Sequence, residues 1–294
     1  MNNPADRTGN ERPLGVFPPK DSALETIFGT DRVVIGVVHC PPLPGSPHYR
    51  GEPVADLIRF AVEEARAYRE GGVHGLIVEN AWDLPFPKPE DQGFETAATL
   101  AVLGDHVREK VGLPVGVNVL ANGAHCSIAT AQAAQSSFVR VNQWANAYVA
   151  NEGFIEGLAP SATRYRARLR AEELKVFADV HVKHGSHSII ADRSLAEQTE
   201  DAEFFDADVL IATGGRTGDE AGESEVRGIM DATRLPVIIG SGMNDGNAER
   251  LLSLCHGAIV ASALKENDRW WGRVDRDKVR SFTRHAAKAG YRLP

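Results

Sequence analysis

From Arg32 onward the apolar positions fall into two alternating patterns. Short β-branched runs appear as VVIGVVH from Val33, HGLIVEN from His74, PVGVNVL from Pro114 and FVRVN from Phe138. They continue as LKVFADVHV from Leu174, DVLIAT from Asp208, PVIIG from Pro236 and GAIVAS from Gly257. These runs are almost continuously hydrophobic, as expected for parallel strands covered on both faces. Between them lie amphipathic stretches. VADLIRFAVEEARAYREGG sets Leu57, Ala61, Ala65 and Tyr68 on one face and stops at Gly71-Gly72. FETAATLAVLGDHVREKVG ends likewise at Gly112, and SLAEQTEDAEFFDA opens on Ser194, a good N-cap. Eight such units, at a spacing of about thirty residues, predict an α/β protein of the (β/α)8 TIM-barrel type. The rival is an open doubly wound sheet, but no GxGxxG follows the first run.

Residues 1–30 read as an N-terminal extension, partly disordered, in which ALETIF forms one helical turn docking on the core. Residues 31–294 then form a single barrel domain, and the 43% hydrophobic fraction suffices for its core. With 40 Asp+Glu against 32 Lys+Arg, the net charge of −8 argues against a nucleic-acid partner. No apolar run is long enough to span a membrane. Three scattered cysteines without a CxxC pair, and no leader-like segment at the start, point to a reduced, cytoplasmic setting. A homo-oligomer is compatible with the loop aromatics.

In this fold, chemistry belongs at the carboxyl ends of the strands. There the chain places His39-Cys40, Glu79-Asn80, Asn118 and Asn122, Asn142, Thr213-Gly214-Gly215, Gly240-Ser241-Gly242 and Ser262. The fifth run is the most informative. In FADVHVKH a strand period of two would set Asp179, His181 and Lys183 on one face, where desolvation favours the barrel mouth over the helix layer. With Glu79 and His39 they form the expected proton-transfer set. Asn80, Asn118, Asn142 and Thr213 are candidate substrate contacts. Gly214 and the segment IIGSGMN, with Gly240, Ser241 and Gly242, could hold a phosphate through backbone N–H groups, joined by Ser262 and Lys265 of IVASALK. No cofactor is called for. A divalent metal on His39, Glu79, Asp179, His181 and His184 is the weaker alternative, since no HExxH-like pair exists and Lys183 would repel a cation.

The Pro-rich loops HCPPLPGSPHYRG and NAWDLPFPKP are stiff enough to frame a substrate. The long segment after the fourth run carries Trp144, Asn146 and Tyr148, which could stack on a base or sugar or simply pack. Cys40 reads as a packing residue, and Trp270-Trp271 as packing, tail docking or an oligomer contact.

The segments VIGVVHCPPLPGSPHYRG, GLIVEN, FVRVNQWANAYVANEGFIEG, KVFADVHVKH, GGRTG, PVIIGSGMN and IVASALK resemble the BtpA/SgcQ family in that order, from Ile35 to Phe282. The resemblance implies a TIM barrel similar to phosphate-binding barrels. Its recurring polar motifs fall on His39, Glu79, Asn80, Asn142, Asp179, His181, Lys183, Thr213, Gly214, Gly240, Ser241 and Gly242. Relatives often carry an aliphatic residue where Cys40 stands. Family members are linked to photosystem I biogenesis at thylakoid membranes, to sugar-catabolic operons, and to the label phosphoribosylanthranilate isomerase. That last activity would want a strand-one Cys paired with a strand-six Asp, whereas strand six here ends in Thr213-Gly214. The leading expectation is an enzyme acting on a phosphorylated sugar or nucleoside-like molecule by isomerase, epimerase or lyase chemistry. The alternative is a non-catalytic photosystem I biogenesis or stability factor.

Overall fold

The computed structural model describes residues 19–214 and 222–294. Residues 1–18 of the expected N-terminal extension and the GRTG part of the GGRTG motif lie outside the described residues.

All eight expected strands form and close into one parallel barrel. They are β1 (Val33–His39), β2 (Gly75–Glu79), β3 (Val115–Asn118), β4 (Phe138–Val141), β7 (Lys175–Asp179), β8 (Val209–Ala212), β9 (Val237–Ile239) and β10 (Gly257–Val260). Numbering skips two because β5 (Ala147–Ala150) and β6 (Gly153–Glu156) make a separate antiparallel hairpin after β4. The segment expected to delay the next helix is therefore ordered as a hairpin. Closure is made by β1 pairing with both β10 and β2.

The alternation of each strand sorts its side chains into two cores. Val34, Val38, Leu76, Val78, Val117 and Val139 point outward and pack under the helices. Helix α2 (Val54–Gly71) buries Leu57, Ala61, Ala65 and Tyr68 there, the face that the sequence pattern selects. Helix α6 (Leu195–Phe204) starts at Ser194, whose side chain and that of Glu197 form a reciprocal capping box. Inside the barrel, Val33, Ile35, Val37, Ile77, Phe138, Phe177, Ile211 and Ile259 form the second core. Phe138 and Phe177 stack at 4.3 Å. Gly116 leaves room for them, because a Cβ there would lie 2.3 Å from the Phe138 ring. The end opposite the mouth is closed by α1 (Ala23–Phe28), the ALETIF turn, which buries Ala23 and Leu24 against this inner core.

The inner positions change character toward the carboxyl ends. Val37 is followed by His39, Ile77 by Glu79, Gly116 by Asn118, Phe138 by Arg140 and Asn142, and Phe177 by Asp179. Each polar residue is two positions beyond an inward-facing one, so the strand period itself delivers it to the mouth.

Candidate active site

A cavity of about 970 Å³ opens at this polar end. Its floor includes Val37 and Ile259, the top of the inner core. The described walls bring together nine of the expected site residues: His39, Glu79, Asn118, Asn142, Lys183, Gly240, Ser241, Gly242 and Ser262. Leu84 and Phe86, from the second Pro-rich loop, form an apolar wall. Beyond His39, where it leaves β1, the first Pro-rich loop contributes no residue to the described wall. It is tied down instead by the Leu43 amide, which donates to Asp83 Oδ1 at 2.8 Å.

Three linked groups define the polar side. Glu79 Oε2 accepts from Asn118 Nδ2 at 2.6 Å, and Glu79 Oε1 lies 3.7 Å from His39 Nε2. His39 Nδ1 lies 2.7 Å from the Trp270 carbonyl oxygen. A carbonyl only accepts, so Nδ1 carries the proton and Nε2 presents a lone pair when the ring is neutral. Burial, reinforced by the charge of Lys265, pushes His39 down to about 3, which keeps it neutral at ordinary pH.

The second group runs from the wall, where Arg140 and Asn142 stand, to Asp179 in the layer behind it. Arg140 grips Asp179 with Nε at 3.1 Å and Nη2 at 3.0 Å, and Asn142 Nδ2 adds a third bond at 3.2 Å. The Asp179 side chain is fully enclosed and is not itself part of the cavity surface. Arg140 is a cavity-lining residue that sequence reasoning missed. The available signal was an arginine inside an otherwise apolar strand, a charge that needs a buried partner.

Lys183 is the third. Its backbone is pinned by Thr213, whose Oγ1 accepts from the Lys183 amide at 3.1 Å and donates to the His181 carbonyl at 3.0 Å. Its amine makes no ion pair with a described residue. Burial and the nearby Arg140 charge push it down to about 8, against the smaller pull of Asp179 and Glu79.

Several expected residues stand elsewhere. His181 does not share a face with Lys183, because β7 ends at Asp179 and the period of two lapses there. Its ring stacks on His187 at 3.7 Å and its Nδ1 lies 3.1 Å from Gln198 Oε1, away from the cavity. Thr213 is a fully buried brace, and Gly214 is absent from the described wall. Asn80 accepts from the Leu120 amide at 2.8 Å and donates to Asp83 at 3.2 Å, fixing two loops to each other. Lys265 turns inward, 1% exposed, toward Glu64 at 3.8 Å rather than toward the mouth. Trp144 is a core residue donating to the Phe205 carbonyl, and Asn146 donates to Asp201; Tyr148 alone of that trio reaches the cavity. Trp270 is also a wall residue, packed edge-on against His39 and Trp82. Cys40 is buried, which pushes its thiol up and suits packing. Among the described residues no three His, Cys, Asp or Glu side chains are grouped to hold a metal ion. Among them, too, no helix is long and apolar enough to cross a membrane.

On the β9 and β10 side, Gly240, Gly242 and Gly246 bring backbone to the wall beside Ser241, Met243, Asn244, Asp245 and Ser262. A Cβ on Gly240 would stand 2.5 Å from Ile211 Cγ2 and 3.3 Å from Arg140 Nη2. The following turn takes Gly242 to φ +74°, a conformation natural to glycine. Asn247 braces it, donating to the Gly242 carbonyl at 2.9 Å and accepting from the Asn244 amide at 2.9 Å.

The profile of the BtpA family matches residues 30–288. The chain belongs to the BtpA family. An uncharacterised protein of Archaeoglobus fulgidus is 40% identical over 256 residues, covering 87% of this chain and 99% of that one. A Synechocystis protein named photosystem I biogenesis protein BtpA is 37% identical over 257 residues, covering 87% and 88% respectively. Among solved structures, thiamine phosphate pyrophosphorylase from Pyrococcus furiosus has a TM-score of 0.55 at 16% identity, covering 88% of this chain and 96% of its own. N-(5'-phosphoribosyl)anthranilate isomerase from the same organism has a TM-score of 0.53 at 13% identity, covering 87% and 98%. At such identities the likeness of this BtpA-family chain to the two enzymes is one of fold.

Proposed function

We propose that this BtpA-family protein is an enzyme acting on a phosphorylated sugar or nucleoside-like small molecule. The observation that carries the reading is the union, in one cavity, of a glycine- and serine-bearing β9/β10 rim with Glu79, His39 and Lys183. In the proposal, Ser241, Gly242 and Ser262 take the phosphate through backbone N–H groups and the serine hydroxyls, while the Gly240 amide stays on the Ala212 carbonyl at 2.7 Å and its missing side chain leaves the space. The same rim is the usual phosphate position in barrels of this type, which the similar folds of the two phosphate-named enzymes support as analogy. Glu79 and the Nε2 lone pair of His39 are two acceptors facing one space, suited to receive a proton from a ligand hydroxyl or C–H group. Asp179 serves by holding Arg140 and Asn142 in place, and His181 and Thr213 by shaping the loop that carries Lys183.

A second reading, a non-catalytic factor in photosystem I biogenesis, rests on the name of the Synechocystis relative. The enclosed ionisable groups favour the enzyme, because a scaffold has no use for their desolvation cost.

A thermal-shift panel of sugar phosphates and nucleotides, each beside its dephosphorylated form, tests the proposal. At a concentration one hundred times Kd, the bound ester should stabilise the protein by about 2.7 kcal/mol. If no phosphate ester shifts the transition, the reading fails.

A further inference from the structure

Both carboxylates nearest the Lys183 amine already have partners. Asp179 is saturated by two bonds from Arg140 and one from Asn142, and Glu79 is held by Asn118. A lysine at a cavity wall ordinarily finds a carboxylate, but this one is left beside a guanidinium. Its backbone is fixed by Thr213, so the side chain leaves the loop from a defined point. Two acceptors of cavity-lining residues, Asn118 Oδ1 and Asn142 Oδ1, are buried and have no hydrogen-bond partner among the described residues. A buried acceptor without a donor is costly, so a turn of either amide toward ligand hydroxyl groups would be favourable.

We propose that Lys183 is a nucleophile that forms an imine with the carbonyl carbon of an open-chain sugar phosphate, an aldose or ketose bearing hydroxyls beside the carbonyl. The proposal rests on the phosphate reading of the β9/β10 rim and adds the substrate class and the covalent step. The amine lone pair attacks the carbonyl carbon, and the C=O π pair moves to oxygen. That oxygen takes one proton from nitrogen to give a carbinolamine. A second proton, drawn from solvent through Glu79, lets the hydroxyl leave as water while the nitrogen pair closes the C=N bond. The products are a protonated imine and one water, with no change of oxidation state. The hydroxyls beside the carbonyl face the Asn118 and Asn142 side chains of the same wall. The lowered lysine pKa supports this geometry, since the neutral amine is the reactive form.

The test is reductive trapping. The full chain is incubated with dihydroxyacetone phosphate or ribose 5-phosphate, treated with sodium borohydride, and its intact mass and peptide map are recorded. The expected result is a gain equal to the probe less one oxygen atom, located on Lys183. It should exceed the label on a surface lysine by roughly ten- to a hundredfold, as the larger neutral fraction of the amine dictates. Lys183→Met, with circular dichroism matching the parent chain, should lose it. Label spread evenly over surface lysines and unchanged in Lys183→Met would overturn the proposal. So would thermal-shift binding of either probe with no adduct at Lys183, a result that leaves the phosphate reading standing with Lys183 as a counter-charge. If neither probe binds or reacts, the imine proposal falls, and the phosphate reading falls with it when the wider panel of phosphate esters also gives no shift.

Discussion

Arg140 and Asp179 are the residues on which the site's geometry turns. Both side chains are nearly or fully enclosed, at 6% and 0% exposure, so either charge without the other is uncompensated. Arg140→Met is expected to cost about 3–5 kcal/mol in urea unfolding, while Arg140→Met combined with Asp179→Leu should recover much of that loss. A single-variant loss no larger than that of an exposed ion pair would contradict the assignment. His39 gives a pH signature of definite sign. Burial holds its folded value near 3, below the ordinary 6.5, so between those values the unfolded chain binds more protons. This contribution is absent above about pH 6.5 and destabilises progressively as pH falls toward 3. His39→Gln should therefore melt relatively better than the parent chain at low pH, the difference between them changing by about 2 kcal/mol between pH 7 and pH 5. Thermal melts of the two chains over that range read it directly.

At the scale of elements, strand periodicity was legible where a strand persists and misleading just beyond it. Glu79 and Asn118 reach the mouth because they are the last residues of β2 and β3. His181 follows the end of β7, where Thr213 sets the backbone and the ring turns toward α6. The hairpin was not legible either. Its inner side packs Tyr148, Ile155 and Ala150 against Val182, and its pairing with Ser186 depends on the loop after β7, which local pattern cannot reveal. Lys265 misled for a related reason. Only the folded chain brings Glu64 of α2 beneath the β10 loop to receive it. The helix α1 was legible as a turn, and its role is to close the far end of the barrel. Leu24→Ala, at a fully buried position, should lower unfolding stability by about 2–5 kcal/mol. Because α1 lies at the end opposite the mouth, calorimetric affinity for a phosphate ester should be unchanged in that variant. A matching loss of affinity would show the two ends to be coupled.

On the scale of the whole molecule, eight continuous apolar runs sufficed for the fold, since parallel strands buried on both faces leave little else to be built. The site was half legible, because strand ends name the residues at the mouth without saying which way each side chain turns. Trp270 and Arg140 were hidden for that reason, one beyond the last strand and one inside an apolar run. The acidic balance of the chain, −8, sharpens what the cavity offers an anion. Of the three Lys and Arg residues on the described wall, Arg140 is paired with Asp179 and Lys278 with Asp268, leaving Lys183 and the glycine-bearing rim. Ser262→Asp places a negative charge at that rim without touching either core. Isothermal titration of ribose 5-phosphate and of ribose, into the parent chain and into Ser262→Asp, addresses the central claim most directly. The account predicts that the parent chain binds ribose 5-phosphate, that ribose binds at least tenfold more weakly, about 1.4 kcal/mol, and that Ser262→Asp abolishes the difference. Equal affinity for ribose and its phosphate, or undiminished phosphate binding by Ser262→Asp, would contradict it.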